Sequence, residues 1–230
     1  MKKRFLAVVL TLAMVLSFAA CGNSSNVTAK KYTQYVEAVM ECSYLGEFDN
    51  YMKICDATKQ ESQDVYDNTM EYYAYYLMYY NDVDYEVISQ ATIDRFVDIA
   101  EKVYAKAKYT VNQAEKTSDS KVYHVTIEIE PTDFNDITYD PVYEYIHEVY
   151  NPQFENMSDE EYYAITDEQW IQYEETYANA VADILEEYID QIGYKTKKTK
   201  IVEISVDSNG NYGVDDEDWY EIDDYIVDVQ

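Results

Sequence analysis

The segment from residue 122 to residue 129 constrains the fold most, because apolar and polar side chains alternate along it. Its two faces are Val125, Ile127 and Ile129 on one side and His124, Thr126 and Glu128 on the other. This period of two is typical of a half-buried strand. A β-prone segment at residues 109–111 and a turn-forming cluster at 117–120 precede it. We therefore predict an antiparallel hairpin that ends at Pro131.

Helical periods flank this hairpin. Thr58 with Glu61, and Thr166 with Gln169, form capping-box patterns that each open a long helix. The predicted helices cover residues 32–45, 58–80, 89–104, 166–192 and 219–227, and one more starts at Asp140-Pro141, with Asp as its cap and Pro in its first position.

A second hairpin is predicted near the C-terminus. Residues 201–206 alternate like the first strand, and Asn209-Gly210 is a tight-turn signal. The order of elements is therefore helices, hairpin, helices, hairpin, helix. Segregated helices and antiparallel strands predict an α+β fold, with helices packed on a curved sheet. We expect residues 32–230 to form one such domain with a helical elaboration.

The first 21 residues predict export and a lipid anchor. Residues 2–4 are basic and residues 5–20 carry no charge. That run is shorter than the ~20 apolar residues of a spanning helix and is typical of a secretory signal. Ala19-Ala20-Cys21 resembles the lipobox of bacterial lipoproteins, which implies a cleaved signal peptide over 1–20 and a diacylglycerol on Cys21. The alternative is an ordinary signal with a chance cysteine. The polar residues 21–31 predict a flexible tether to the outer face of the membrane.

Composition excludes one class of partner. The formal charge is −29, and removal of Lys2, Lys3 and Arg4 with the signal makes it −32. The 47% of hydrophobic and 16% of aromatic residues can still supply a core. A surface this acidic repels nucleic acid and anionic lipid headgroups. We expect a folded domain that hangs from its lipid and has no nucleic-acid partner.

Cys42 and Cys55 lie on either side of a turn predicted at residues 46–50. A helical hairpin would bring them close, and an exported protein permits a disulfide. Alternatively, both remain reduced and behave as small buried hydrophobes.

Several segments carry a resemblance to a known group of proteins. They are Gly46-Glu47-Phe48-Asp49 with Tyr51-Met52-Lys53, residues 103–111, Ile127-Glu128-Ile129-Glu130-Pro131 and Asp218-Trp219-Tyr220-Glu221-Ile222. They resemble uncharacterised surface lipoproteins of Gram-positive anaerobic bacteria, across most of residues 32–227. The resemblance implies a cone-shaped α+β domain similar to the nuclear-transport-factor and cystatin-like folds. It carries no catalytic residues across.

Catalytic and metal chemistry have few residues to use. His124 and His147 are the only histidines, neither belongs to an H-x-x-x-H pair, and no G-x-S-x-G turn occurs, so we expect no zinc site, other metal or cofactor. Glu128 and Glu130 share a strand face, which leaves a carbohydrate-directed hydrolase with paired carboxylates as an alternative. Residues 207–218 space oxygen ligands as a calcium loop does, but the EF-hand Gly and Glu positions differ, which favours a plain hairpin.

The helix opened by Thr58 carries more tyrosine than one buried stripe needs. That stripe is Tyr66, Met70, Tyr73, Leu77 and Tyr80. Tyr72, Tyr75 and Tyr79 lie toward the other side. We prefer the interpretation that a second layer, such as the helix over 167–192, covers Tyr72 and Tyr79. The functional interpretation is an aromatic platform for a sugar, peptide or partner. The preferred function is a non-catalytic surface module that binds a ligand or a protein.

Overall fold

The sequence folds as two groups of helices separated by strands. The structure, a computed structural model, describes residues 25–119, 121–208 and 210–228. The first helices are α1 (Ser25–Leu45), α2 (Phe48–Cys55), α3 (Lys59–Tyr80) and α4 (Gln90–Tyr104). Strands β1 (Lys108–Val111), β2 (Glu115–Lys116) and β3 (Val122–Glu130) follow.

The second half repeats this order. Its helices are α5 (Phe134–Tyr145), which continues into a π-helical turn (Ile146–Tyr150), α6 (Pro152–Glu155), α7 (Asp159–Tyr163) and α8 (Asp167–Tyr188), which continues into a 3-10 turn (Ile189–Gln191). Strands β4 (Lys198–Val206) and β5 (Tyr212–Val214) and helix α9 (Asp216–Val227) follow.

The strands form one antiparallel sheet in the order β1-β3-β4-β5, and β2 also pairs with β3. Val125 lies opposite Val202, and Tyr123 lies opposite Ile204. The side chains of these four residues are buried, while His124 on the other face is exposed. The predicted alternation is therefore confirmed, and it decides which face the helices cover. The α+β fold is also confirmed.

Local signals place the long helices. Both predicted capping boxes form. The Thr58 hydroxyl accepts from the Glu61 N–H, and the Glu61 side chain accepts from the Thr58 N–H. Thr166 and Gln169 make the same two hydrogen bonds at the start of α8. These bonds satisfy donors that a helix start would otherwise leave free. Gly210 follows the turn that joins β4 to β5, and its φ of +88° suits glycine.

Two boundaries differ from the prediction. Helix α1 begins at Ser25, so it includes residues 25–31 of the predicted tether, and Ala29 is buried in the core. Helix α5 begins at Phe134 rather than at Asp140, because Phe134 is fully buried and anchors its first turn. Pro141 consequently lies inside α5, where it has no N–H to donate to the carbonyl of Ile137.

Helices α5 to α8 form an excursion between β3 and β4, residues 134–191, which we call the helical arm. Its base is closed by Asp133, whose carboxylate accepts a 2.7 Å hydrogen bond from the Gly193 N–H. A bridge between Thr132 and Tyr194 lies beside it. A Cβ on Gly193 would lie 2.9 Å from the Asp133 carboxylate, so this close approach requires glycine.

Candidate functional site

Cys21, the predicted site of lipidation, lies outside the described residues. Across the part of the chain that the structure describes, no helix is both long enough and apolar enough to cross a membrane.

Cys42 and Cys55 are free, buried thiols, and no disulfide joins them. The Cys42 thiol donates instead to the Ser62 carbonyl at 3.4 Å. Burial raises the pKa of each thiol to about 12, so both are protonated and unreactive at neutral pH. The alternative interpretation, two small hydrophobes in the core, describes what the structure contains.

Among the described residues, the predicted second layer does not cover the candidate tyrosines of α3. Tyr72, Tyr75 and Tyr79 are 54%, 41% and 77% exposed. Helix α8, which was expected to cover them, packs instead on α4 and α5. Tyr80, assigned to the buried stripe, is exposed as well. The interpretation that Tyr72 and Tyr79 are buried is therefore wrong.

The three candidate tyrosines do not form one group. The Tyr72 ring lies 6.4 Å from Tyr220 of α9, whereas Tyr75 packs edge-on against Tyr85 in the loop after α3. Tyr79 is the most exposed of the three. Tyrosines on the side of α3 that carries Tyr72, together with Tyr220 of α9, make up what we call the α3/α9 tyrosine surface: Tyr72, Tyr76, Tyr79, Tyr80 and Tyr220.

A line of stacked rings connects this surface to the core. Tyr44 stacks on Tyr104 at 5.3 Å, Tyr104 meets Tyr73 edge-on at 5.1 Å, and Tyr73 stacks on Tyr76 at 5.9 Å. We call these four residues the tyrosine column. Tyr76 then stacks on exposed Tyr80 at 5.8 Å. The column therefore supports the exposed ring of Tyr80.

Two carboxylates of α9, Asp223 and Asp224, lie near these rings. The Tyr44 hydroxyl donates to Asp223 at 2.5 Å. Burial raises the pKa of Asp223 to about 7. The hydrogen bond from Tyr44 lowers this pKa, and the neighbouring charge of Asp224 raises it. Burial is the main cause of the raised pKa values of Tyr72 and Tyr76, and the charge of Asp224 contributes to both. The α3/α9 tyrosine surface therefore combines exposed ring faces with negative charge.

The other acids singled out in the sequence are partnered. Glu128 and Glu130 form 2.8 Å ion pairs with Lys197 and Lys108 on the open face of the sheet. Asp218 pairs with Lys200 at 2.8 Å. Asp207 accepts from Asn211, and Asp215 caps α9. Within the described residues no group of three potential metal ligands occurs.

The two histidines lie on different parts of the fold. His124 lies 3.9 Å from Glu203 on the exposed face of the sheet. The His147 ring lies 4.1 Å from Tyr143 on the arm.

The far end of the helical arm contains a second aromatic group that the sequence interpretation missed. We call it the arm-tip cluster: Tyr150, Phe154, Tyr162, Trp170 and Tyr173. Phe154 stacks on Trp170 at 5.5 Å and meets Tyr173 edge-on at 5.1 Å. A sequence signal was available, because no Lys or Arg occurs from residue 122 to residue 194. Such a one-sided charge pattern over a folded segment indicates a surface for cationic partners.

The described surface includes two hollows of different size. The larger, about 640 Å³, lies at the turn between α1 and α2, where Asn50 donates to Glu41 and Lys59 lies on the rim. The smaller, about 350 Å³, lies beside the arm-tip cluster. The larger hollow contains its own cation and hydrogen bonds, whereas the smaller is lined by apolar and acidic residues alone.

Comparison with known proteins supports the fold and no activity. No protein-family model and no curated protein matches the sequence. Among solved structures, the fold is similar to that of YcdA, a candidate lipoprotein of Bacillus subtilis, with a TM-score of 0.55 and 16% identity. The match covers 87% of this chain and 58% of that one. At this identity the likeness shows a shared α+β fold alone.

Proposed function

We propose that this chain is a lipid-anchored extracytoplasmic protein that binds a ligand or a protein partner at the outer face of the membrane. In this proposal, Cys21 carries the lipid and the domain is not an enzyme. Its likeness to surface lipoproteins of Gram-positive anaerobic bacteria, with a nuclear-transport-factor-like or cystatin-like domain, belongs to the same proposal.

Two observations support the anchor. Small residues precede Cys21 after an uncharged run, as in the lipobox. The solved structure that shares the fold is itself described as a candidate lipoprotein. Two acyl chains on one cysteine hold a protein stably on a bilayer, because each buried CH₂ contributes about 0.8 kcal/mol.

The observation that carries the binding role is the exposure of the α3/α9 tyrosine surface. Tyr72, Tyr79, Tyr80 and Tyr220 are all exposed. Tyr72 lies beside Tyr220, and Tyr80 stacks on Tyr76 of the column. Tyrosine gives a large, rigid contact area at low entropic cost, and its hydroxyl accepts polar partners. Ring faces beside carboxylates suit a sugar, a peptide or a protein partner.

Fractionation of cells tests the anchor. Cys21→Ala is expected to leave the membrane fraction or to remain uncleaved, because the thiol is both the site of lipid attachment and the signal for cleavage. Wild-type processing together with wild-type retention of this variant would refute the lipid.

Binding of the purified domain to intact cells tests the surface. We expect Tyr72→Ala and Tyr79→Ala to weaken binding without lowering stability. Tyr139→Ala is the matched control, since Tyr139 is 53% exposed but lies on the arm. Equal binding by all three variants would remove the α3/α9 tyrosine surface from the proposal.

One observation favours a second candidate, a carbohydrate-directed hydrolase. Asp223, with its pKa raised to about 7 by burial, retains a proton near neutral pH as a general acid must, and Asp224 is a neighbouring carboxylate. Hydrolysis of cell-surface glycans by wild type that is lost in both Asp223→Asn and Asp224→Asn would favour this candidate over the binding module.

A further inference from the structure

The smaller of the two hollows is a cleft that lies where the helical arm meets the loop between α3 and α4. The loop contributes Asp84 and Val87, and the first two turns of α8 contribute Asp167, Trp170, Ile171 and Glu174. Val87 and Ile171 are exposed and Trp170 is half-buried, so the floor presents apolar surface to solvent. The three carboxylates surround that floor.

The two walls of the cleft are tied together. Glu175 of α8 accepts from the Ser89 N–H at 2.7 Å, from the Ser89 hydroxyl at 2.8 Å and from the Thr92 hydroxyl at 2.5 Å. These bonds join α8 to the start of α4, directly after the loop that contains Val87. The cleft is therefore formed before any ligand arrives, which reduces the entropic cost of binding.

The floor is fixed as well. Trp170 stacks on Phe154 at 5.5 Å and meets Tyr162 edge-on at 5.6 Å. The Thr166–Gln169 capping box fixes the first turn of α8 directly before it. The indole therefore has a defined orientation, as an anchor residue of an interface requires.

The carboxylates of the rim lack cationic partners. Among the described residues, Asp84, Asp167 and Glu174 form no ion pair with Lys or Arg. Glu174 accepts from the Tyr150 hydroxyl at 3.3 Å, and Asp84 accepts from the Glu86 N–H. Burial raises the pKa of Glu174, and the charge of Asp84 contributes to the increase. A cation placed between the three carboxylates would relieve this repulsion.

We propose that this cleft binds a cationic segment of a partner protein, in which Lys or Arg side chains flank an apolar residue. The apolar residue contacts Val87, Trp170 and Ile171, and the cations contact the carboxylates of the rim. A second copy of this chain is a poor occupant, because it presents the same negative surface. Nucleic acid is excluded for the same reason. The inference rests on the proposed binding role but not on the α3/α9 tyrosine surface.

Tryptophan fluorescence of the full chain tests the inference. The chain contains two tryptophans, so Trp219→Phe leaves Trp170 as the only reporter. The probe is a synthetic peptide in which lysines flank two leucines. We expect saturable binding with a blue shift of the emission, because leucine excludes water from the indole. Binding should weaken as salt rises, because salt screens exposed charges.

Matched peptides and variants separate the two contributions. Replacement of the leucines by serine should weaken binding about tenfold, and Ile171→Ser should have the same effect, as loss of about one apolar contact predicts. Asp84→Asn with Asp167→Asn should also weaken binding about tenfold. Asp64→Asn with Asp190→Asn removes the same charge at exposed sites outside the cleft, and should leave the affinity within about twofold.

Three results would overturn the inference. Equal loss in the control pair would show diffuse attraction to an acidic chain. Equal affinity for the serine peptide would show that the floor is not used. Self-association that Ile171→Ser abolishes, seen by sedimentation, would assign the cleft to a second copy. Because Tyr72 and Tyr79 lie outside the cleft, none of these results changes the cell-binding test of the α3/α9 tyrosine surface.

Discussion

The tyrosine column and the arm-tip cluster contain the same kind of side chain in opposite settings. Tyr44, Tyr73 and Tyr104 of the column are almost fully buried, whereas no ring of the arm-tip cluster is fully buried. Their charges differ too. Near the column, β4 supplies lysines to the acids around α9, while the arm has no Lys or Arg of its own.

This difference separates two uses of tyrosine and carboxylate. In the body of the domain they hold elements together through stacking and ion pairs. Toward the end of the arm they remain partly exposed and mostly without cations, so they add little stability and stay available for contacts with another molecule. The following changes test that separation.

The largest effect is expected from the column. Tyr104→Ala should lower the free energy of unfolding by about 3–5 kcal/mol, because it leaves a large cavity between Tyr44 and Tyr73. Tyr173→Ala in the arm-tip cluster should lower it by less, since Tyr173 is half-buried. Urea unfolding measures both. A greater loss at Tyr173 would reverse the comparison.

The next effect is a dependence on pH. Asp223 has a pKa of about 7 in the folded chain against 3.8 as its ordinary value, because burial disfavours its charge. The folded state therefore keeps a proton that the unfolded state loses, so the free energy of unfolding should fall by roughly 2–4 kcal/mol from pH 4 to pH 7. Asp223→Asn should flatten that fall. An unchanged profile would show that Asp223 ionises freely in the fold.

A smaller loss is expected at the end of α9. Asp228 lies 2.5 Å from Lys195 and also pairs with Lys198. Burial alone would raise its pKa, but these two lysines lower it below the usual range. Its contribution is therefore present above pH 3.8 and lost as pH falls through the lowered value. At neutral pH, Asp228→Asn should lose about 1–3 kcal/mol in urea unfolding.

The matched change on the arm is Glu155→Gln, because Glu155 is exposed and has no ion pair among the described residues. It should change the free energy of unfolding by less than about 0.5 kcal/mol. Similar losses of unfolding free energy in Asp228→Asn and Glu155→Gln would show that acids with and without ion pairs stabilise the fold equally.

The exposed tyrosines of α3 should matter least for stability. Tyr72→Ala and Tyr79→Ala should each change the free energy of unfolding by less than about 0.5 kcal/mol, as exposed positions usually do. Chemical denaturation of both variants provides the check. A loss near that of Tyr104→Ala would mean that a layer covers these rings in solution.

The sequence predicted the parts of the fold that depend on local signals. The alternation of Val125, Ile127 and Ile129 and the capping boxes at Thr58 and Thr166 are of this kind. The exposure of Tyr79 was not predictable, because a tyrosine fits a half-buried face as well as a core. The spacing of residues in one helix does not reveal what packs against it.

Distant contacts explain the remaining errors. Phe134 is buried at the start of α5, and Asp133 directly before it is held by Gly193, which follows the whole arm. The smaller cleft brings Val87 and Ile171 together, and no local sequence pattern at either residue indicates this contact. The sequence shows that residues 122–194 contain no Lys or Arg, but it does not show which part of that segment is exposed.

The most direct test of the separation between body and arm is urea unfolding of Glu144→Gln with Glu148→Gln. Both residues are exposed on the arm and lie one helical turn apart, and Asp140 lies one turn before Glu144. Like charges at this spacing repel, so neutralising two of them should raise the free energy of unfolding by about 0.5 kcal/mol. A loss of more than about 1 kcal/mol would contradict the separation, because it would show that these carboxylates stabilise the fold as Asp228 does.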